Sequence, residues 1–299
     1  MARRGTSLKL AILSRDAGLY STRRLVEAAR ERRFAVRVLD PLRCHLKIAP
    51  GKFELRHKGR ALEHFDAVIP RIGVSITRYG VAVLRQLELL GSFTPNPSDA
   101  FLLARDKLRC QQLLASLGIA MPPTVSGDSP EDTDALLKLL GPPPHVIKLN
   151  QGAQGIGVVL AENRAASRSV IDSFRSLKAD FIAQQFIAEA GGRDLRCFVI
   201  GNRVVAAMQR EAKANDFRAN LHSGGKASPV KISAAERAMA VRAAQAVGLG
   251  IAGVDLIRSA GGPLLLEVNA SPGLEGIESV TGIDVAGRIV DFVAKGVPH

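Results

Sequence analysis

Between Gly253 and Gly273 the chain reads GVDLI, then a turn at Ala260-Gly-Gly262, then LLLEVNASPG. Two apolar runs joined by a glycine turn specify an antiparallel hairpin. In a strand, residues two apart share a face, so Glu267 and Asn269 point one way while Val268 points into the core. Asp255, on the partner run, can join them. Two carboxylates and one amide oxygen make an all-oxygen set suited to Mg²⁺, which takes carboxylates, waters and phosphate oxygens. Three protein ligands leave positions for a polyphosphate, and the two oxygens of Glu267 can bridge ions about 3.5–4 Å apart. Such carboxylates can equally be edge charges on a solvated hairpin. The NASPG turn that follows tips the reading toward metal.

The first hundred residues alternate strand and helix patterns. Apolar runs at 8–13, 35–39 and 67–69 predict strands, and 21–33 and 81–90 predict helices, the latter closed by Gly91. The alternation places the chain in the α/β class, with a doubly wound, mostly parallel N-terminal βαβ unit. Residues 52–60, with Gly59, predict a small hairpin. Thr94-Pro-Asn-Pro97 is turn chemistry and a domain boundary. The expected organisation is a disordered basic tail at 1–7, an N-terminal domain at 8–97, a central lobe at 98–187 and a C-terminal lobe at 188–299. Helices are expected at 105–117, 132–140, 166–177, 234–247 and 285–294, whereas 213–228 is polar and shows no periodicity.

At 299 residues the chain can bury a large core, and 46% apolar with 23% charged residues argues against disorder. No apolar run approaches the roughly 20 residues of a membrane helix. MARRGTS is basic but lacks the apolar segment of a secretory signal. Cys44, Cys110 and Cys197 have no CxxC spacing, which argues against disulfides and zinc and fits a reducing cytoplasm. Residues 1–100 carry 19 Lys/Arg against 9 Asp/Glu, a net +10 of the total +13. That excess can attract an acidic or RNA-rich partner, or be a solvated arginine-rich surface. With two tyrosines and no tryptophan, a base-stacking platform is not expected.

The stretch Gly152-Ala-Gln154-Gly155-Ile-Gly157 lies between two apolar strand patterns. Glycines let backbone N–H groups approach phosphate oxygens closely. The loop lacks a GK[ST] ending and leads into a strand, which excludes a Walker site and leaves a hairpin flap. Lys148, just upstream in VIKL, is either a snorkelling edge residue or a point charge for phosphate. Gly248-Leu-Gly-Ile-Ala-Gly253 spells the dinucleotide fingerprint GxGxxG. It closes a helix and opens a strand, the reverse of that motif's context, so it reads as a helix C-cap. Asp194, Arg196, Arg210, Arg218 and Asn220 fall on strands and a loop that should face the same side as the carboxylates. Guanidinium groups there can pair with carboxylate or phosphate, although ordinary surface pairing explains each taken singly. His222 in the same loop reads as a solvated histidine.

Taken jointly, Lys148, GAQGIGV, AQQFI, RDLRC, DFRAN, GVDLI and LLLEVNASPGLEGIE resemble the RimK-type ATP-grasp ligases. KLAILSRD, FDAVIPRIG and Arg105-Asp106-Lys107 resemble the same proteins, and the likeness covers nearly the whole chain. It implies an ATP-grasp fold with an N-terminal pre-ATP-grasp domain. It also implies ATP-dependent addition of L-glutamate to the C-terminal carboxylate of a small-subunit ribosomal protein, through an acyl phosphate. Lys107 and Lys148 would contact the phosphates beneath the flap glycines Gly152, Gly155 and Gly157 with Gln154. Gln185 and Phe186 would be the hinge that reads adenine, and Asp194 would lie on the ribose side. Arg210, and Arg218 and Asn220 with Ala219 between them, would engage the phosphates and reacting carboxylate. Asp255, Glu267 and Asn269 would bind two Mg²⁺ or Mn²⁺ ions. Gln185 stands where relatives often carry an acidic residue, and the arginine-rich tail has no counterpart. The resemblance further implies a cytoplasmic homo-oligomer with no sequence-specific nucleic-acid contact and no membrane contact. Two other readings keep the same core: a ligase for small-molecule or carrier-protein carboxylates, and a non-catalytic ATP-binding regulator.

Overall fold

The computed structural model describes residues 7–152, 155–214, 216–219 and 224–298. All but the last residue of the basic tail therefore lies outside the described residues. The chain begins with β1 (Lys9–Leu13), α1 (Tyr20–Glu31) and β2 (Ala35–Leu39), followed by the ribbon β3 (Cys44–Ala49), β4 (Lys52–His57) and β5 (Arg60–Ala61). Next come β6 (Ala67–Pro70) and α2 (Thr77–Leu89). Strands β2-β1-β6 form the expected parallel sheet, with β1 in the middle. The hairpin around Gly59 forms as β4–β5, but the longer partner of β4 is β3, a strand not expected there although Cys44, Leu46 and Ile48 alternate with polar residues.

The helix expected at 105–117 forms as α4 (Lys107–Ser116), and a further helix, α3 (Ser98–Arg105), precedes it. The break falls at Asp106, whose backbone is extended (φ −98°, ψ 99°) and whose carboxylate caps α4 by accepting from the Arg109 N–H. An N-cap aspartate satisfies one of the orphan donors that begin every helix. Both helices pack against C-terminal elements, and Phe101, Cys110 and Leu114 enter the same core as the N-terminal strands.

The central lobe contains β7 (Thr124–Val125), α5 (Thr133–Leu140), β8 (His145–Leu149), β9 (Val158–Ala161), α6 (Arg164–Ser176) and β10 (Phe181–Gln185). Its antiparallel sheet runs β7-β10-β8-β9. The C-terminal part adds β11 (Arg193–Ile200), β12 (Arg203–Glu211), β13 (Lys226–Pro229), α7 (Ala234–Val247), β14 (Ile251–Ser259), β15 (Gly262–Asn269), α8 (Glu275–Thr281) and α9 (Val285–Gly296). Its five-stranded antiparallel sheet runs β13-β12-β11-β14-β15. Strand β13 adds order at the end of the aperiodic stretch, and α8 is a helix that the sequence pattern did not announce. Helix α7 opens on a reciprocal capping box between Ser233 and Glu236 and ends at Gly248 in the left-handed conformation (φ 83°). The GxGxxG stretch is thus a helix C-cap leading into β14, as its context required.

Two apolar clusters each join the N-terminal unit to the C-terminal part. One runs from Leu13 and Phe65 through Leu114 to Val254 and Leu265, and the other from Leu10 and Leu25 to Ile277 and Ile289. A third, made of Leu137, Leu140, Ile147, Ala161, Ile171, Phe181 and Ala183, lies wholly within the central lobe. The boundary expected at Thr94–Pro97 is also a joint. The buried Asn96 side chain donates to the carbonyls of Ile251 and Ala270, both at 2.8 Å, and accepts from the Ile251 N–H at 2.9 Å. Among the described residues no helix is long and apolar enough to cross a membrane.

Candidate nucleotide and metal site

Strands β14 and β15 pair Asp255 with Glu267 and Gly253 with Asn269. Directly opposed residues of an antiparallel pair share a face, so the three oxygen donors converge on one side of the sheet. The Asn269 amide donates to Glu267 Oε1 at 3.0 Å and to the Gly253 carbonyl at 3.3 Å.

The neighbouring strand brings a second set. Arg196 on β11 lies opposite Asp255, and Asp194, two residues earlier on the same face, lies opposite Arg210 of β12. Arg210 grips both Asp194 oxygens at 2.7 Å and reaches Asp255 Oδ2 at 2.9 Å. Arg196 binds both oxygens of Asp255, at 2.7 Å to Oδ2. Asp255 is only 2% exposed. Burial by itself would raise its pKa, but the two guanidiniums outweigh burial and hold it at about 2. Burial pushes the Asp194 carboxyl upward against its single arginine. Asp194, expected beside a ribose, therefore has both oxygens occupied by Arg210.

Facing Glu267 are two lysines from other elements. Lys107, the first residue of α4, donates to the carbonyls of Leu149, Asn150 and Gly152, each at 3.3 Å. Asn150 fixes this junction, accepting from the Leu108 N–H at 2.8 Å and donating to Asp106 at 3.0 Å. Lys148 on β8 donates to Gln184 Oε1, which ties it to the next strand. Burial pushes both ammonium groups down, Lys148 to about 8, while Glu267 pulls each back up. A partly buried lysine with no directly paired carboxylate is poised for a further anion.

The flap closes as the β8–β9 hairpin, with the Leu149 N–H donating to the Gly157 carbonyl at 2.8 Å. Gly157 has a left-handed backbone (φ 71°), and a Cβ there would lie 2.3 Å from Leu149 Cδ1, so only glycine fits. Gln154 and Asn220, like His222, lie outside the described residues. Arg218 is turned onto Asp216 in a two-pronged pair (3.1 and 3.0 Å) and touches the Gly155 carbonyl of the flap at 3.3 Å. Ala219 beside it is buried. At the end of β10 the N–H groups of Gln185 and Phe186 donate to the carbonyls of Pro123 (3.0 Å) and Pro144 (3.2 Å).

A narrow cleft runs between α4 and β15, lined by Arg105, Lys107, Gln111, Gly152, Glu267 and Asn269 among others. Among the described residues no cluster of three or more His, Cys, Asp or Glu side chains could hold a metal ion. The donor set is instead two carboxylates and an amide, hard oxygen ligands that fit Mg²⁺ when phosphate oxygens complete the shell. Asp255, Glu267 and Asn269 could hold such an ion, which would supply charge neutralisation at a triphosphate. Sequence reasoning missed the clasp of Arg196 and Arg210 on Asp255, and the Asp106–Asn150 joint behind Lys107. Both depend on which strands become neighbours, and the N-cap potential of Asp106 was the one local signal available.

Residues 8–101 match the model of the RimK PreATP-grasp domain and residues 104–293 that of the RimK-like ATP-grasp domain. A protein of Xanthomonas oryzae pv. oryzae named "Probable alpha-L-glutamate ligase" is 62% identical over 290 residues, covering 97% of this chain and 98% of its own. One of the same name from Stenotrophomonas maltophilia is 62% identical over 288 residues, 96% of this chain and 99% of its own. Among solved structures, the ATP-grasp ligase PsnB with a phosphomimetic variant of a minimal precursor, Mg and ADP superposes at TM-score 0.73 and 20% identity, covering 98% and 100% of the two chains. A RimK domain ATP-grasp protein of Sphaerobacter thermophilus does so at TM-score 0.73 and 22% identity, covering 95% and 98%. With both family domains in order and a shared ATP-grasp fold, the chain belongs to the RimK family of ATP-grasp proteins and is an ATP-dependent carboxylate–amine ligase.

Proposed function

We propose that this ligase adds L-glutamate to the C-terminal carboxylate of a small-subunit ribosomal protein, using ATP with two Mg²⁺ or Mn²⁺ ions, as a cytoplasmic homo-oligomer. The observation that carries the reading is the convergence of Asp255, Glu267 and Asn269 on one face, opposite Lys107 and Lys148. The relatives' name supports glutamate as the amino acid. The net +10 of residues 1–100 suits an encounter with a ribosomal particle, an attraction that would weaken with salt.

The chemistry follows from charge. A carboxylate is a poor electrophile, and its approach to a triphosphate is opposed by like charge. The bound cations would offset phosphate charge at Asp255, Glu267 and Asn269. Lys107 and Lys148 would lie along the phosphates beneath the flap, with Gln185 and Phe186 at the adenine end. Arg218, released from Asp216, and Arg210 would meet the negative charge that develops as the carboxylate oxygen attacks the γ-phosphorus and ADP leaves. The glutamate amine then attacks the acyl carbon, inorganic phosphate departs, and the amine proton passes to solvent or phosphate. Arg218 already touches the flap at the Gly155 carbonyl, and closure there would keep water from the acyl phosphate.

The test is mass spectrometry of a small-subunit ribosomal protein, and of a peptide with its C-terminal sequence, after incubation with the ligase, ATP, Mg²⁺ and glutamate. Stepwise gain of glutamate residues with matching phosphate release supports the proposal. Phosphate release only with a small-molecule or carrier-protein carboxylate would move the acceptor elsewhere, and ATP binding without phosphate release under any acceptor would leave a regulator.

A further inference from the structure

In an open parallel sheet, ligands bind beyond the carboxyl ends of the strands where the strand order reverses. Here the order β2-β1-β6 places that reversal between β1 and β6. The residue that follows β6 is Arg71, whose N–H donates to the carbonyl of Leu13 at the end of β1 (2.9 Å). Its side chain has no hydrogen-bond or ion-pair partner among the described residues. Beside it stands the guanidinium of Arg105 from α3, anchored by donation from Nη2 to the Ile72 carbonyl at 2.6 Å and stacked 5.2 Å from the Phe101 ring centre. Arg105 Nε is buried and unpaired. Burial, then Arg105, push Arg71 below the ordinary arginine range to about 10, and no carboxylate offsets them. Arg105 is also pushed down by burial, against the pull of Glu267.

Two partly buried like charges side by side repel, and proteins normally pair such groups. A guanidinium pair with open donors is built to hold a carboxylate or phosphate by forked hydrogen bonds. Lys107, Lys148 and the flap already form a phosphate-facing group on the central-lobe side of the cleft. Arg71 follows the last strand of the N-terminal sheet, and Arg105 links it to the cleft, which Arg105 lines with Glu267 and Asn269.

We propose that Arg71 and Arg105 form a carboxylate subsite that holds a non-reacting carboxylate of the acidic substrate while its reacting group lies at the cation site. The subsite rests on the ligase reading for its setting, but not on the identity of the acceptor. The carboxylate belongs either to the incoming free glutamate or to the acidic end of the acceptor chain. Arg71 is a binding residue here and Arg105 both binds and positions.

The test compares wild type with Arg71→Gln, Arg71→Lys and Arg105→Gln. KM is measured separately for ATP, glutamate and a glutamate-ended acceptor peptide, and thermal unfolding is followed in parallel. Arg71→Gln should raise KM for one acidic substrate by roughly tenfold or more, the scale of a lost charge-assisted contact. KM for ATP should stay within about twofold and thermal stability should hold or rise, since a repulsion is removed. Arg71→Lys should recover only part of the loss, because an ammonium lacks the fork. The substrate whose KM rises identifies the carboxylate's source. A rise in KM for ATP equal to that for the acidic substrate, no selective change, or lowered stability alone would overturn the proposal. A second readout does not need turnover. With a non-hydrolysable ATP analogue bound, free glutamate or the acidic peptide should raise the melting temperature of wild type but not of Arg71→Gln. If that difference persists while no acceptor is ligated, the subsite stands and the ribosomal reading fails.

Discussion

The central lobe and the rest of the molecule are held together by different chemistry. The N-terminal unit and the C-terminal sheet share two apolar clusters, and the buried Asn96 fastens them from within. At the rim, Arg24 and Tyr20 of α1 reach Glu278, and Arg32 reaches Asp291 at 3.0 Å. The central lobe keeps its apolar residues to itself. It meets the body through polar contacts near the cleft, namely Lys107 on three carbonyls, Asn150 on Asp106 and Arg218 on Gly155. Separating apolar surfaces exposes area to water at about 25 cal/mol per Å², whereas exchanging polar contacts for water has a small net effect. The lobe can therefore tilt over a nucleotide as one piece, and the N-terminal unit cannot move against the C-terminal sheet.

The sharpest way to break this comparison lies at the site the two regions enclose. Glu267→Gln should lower ligase turnover by about 10²–10³-fold, the scale of removing one preorganised electrostatic contact, with a smaller loss of stability than at Asp255, because Glu267 acts on Lys107, Lys148 and Arg105 without a direct ion pair and its hydrogen-bond partner is Asn269. Asp255→Asn should lower turnover as far and also destabilise the body by about 3–5 kcal/mol, since it leaves Arg196 without its carboxylate and takes from Arg210 one of its two. Urea unfolding alongside steady-state assays separates the two; equal stability losses would mean that the arginine clasp contributes nothing.

Next come the cores. Asn96→Ala should destabilise the protein by about 2–4 kcal/mol by leaving buried backbone groups of Ile251 and Ala270 unpaired. Hydrogen exchange should rise in both β1 and β14 together. Ile171→Ala, at about 2–4 kcal/mol, should instead raise exchange in β8–β10 and leave β1 and β14 protected. Exchange that spreads evenly from either change would dissolve the distinction.

What the sequence made legible follows the range of the interactions. The period-two pattern placed Asp255, Glu267 and Asn269 on one face because that rule is local, and Gly248 was read as a cap because helix termination is local. The proline-rich Thr94–Pro97 segment read as a boundary, yet Asn96 is a joint, since its partners lie on β14 and beyond β15. The arginine clasp was hidden for the same reason: β11 sits between β12 and β14 in space. Helix α3 is not announced because it is short and follows directly on the Thr94–Pro97 turn, and only the capping geometry of Asp106 separates it from α4.

A smaller effect tests the lobe through pH. Burial lowers the Lys148 ammonium to about 8 from its ordinary 10.5. Between those values the unfolded chain holds a proton that the folded one has lost, so stability rises with pH across that window and is flat below it. Lys148→Met should remove that slope in the exchange-derived stability of the central lobe and leave the body's pH dependence unchanged. The smallest change is expected from Arg32→Ala, about 0–1 kcal/mol by urea unfolding, because its pairing with Asp291 is solvent-facing.

The packing of α1 on α9 has a further consequence during synthesis. Domains ordinarily fold as they leave the ribosome, first residues first. Here Leu10 and Leu25 wait for Val285 and Ile289, which are made long after them, while the intervening lobe carries its own core within one contiguous stretch. The central lobe can thus mature before the N-terminal sheet, and a product lacking α9 would leave α1 without its packing partner.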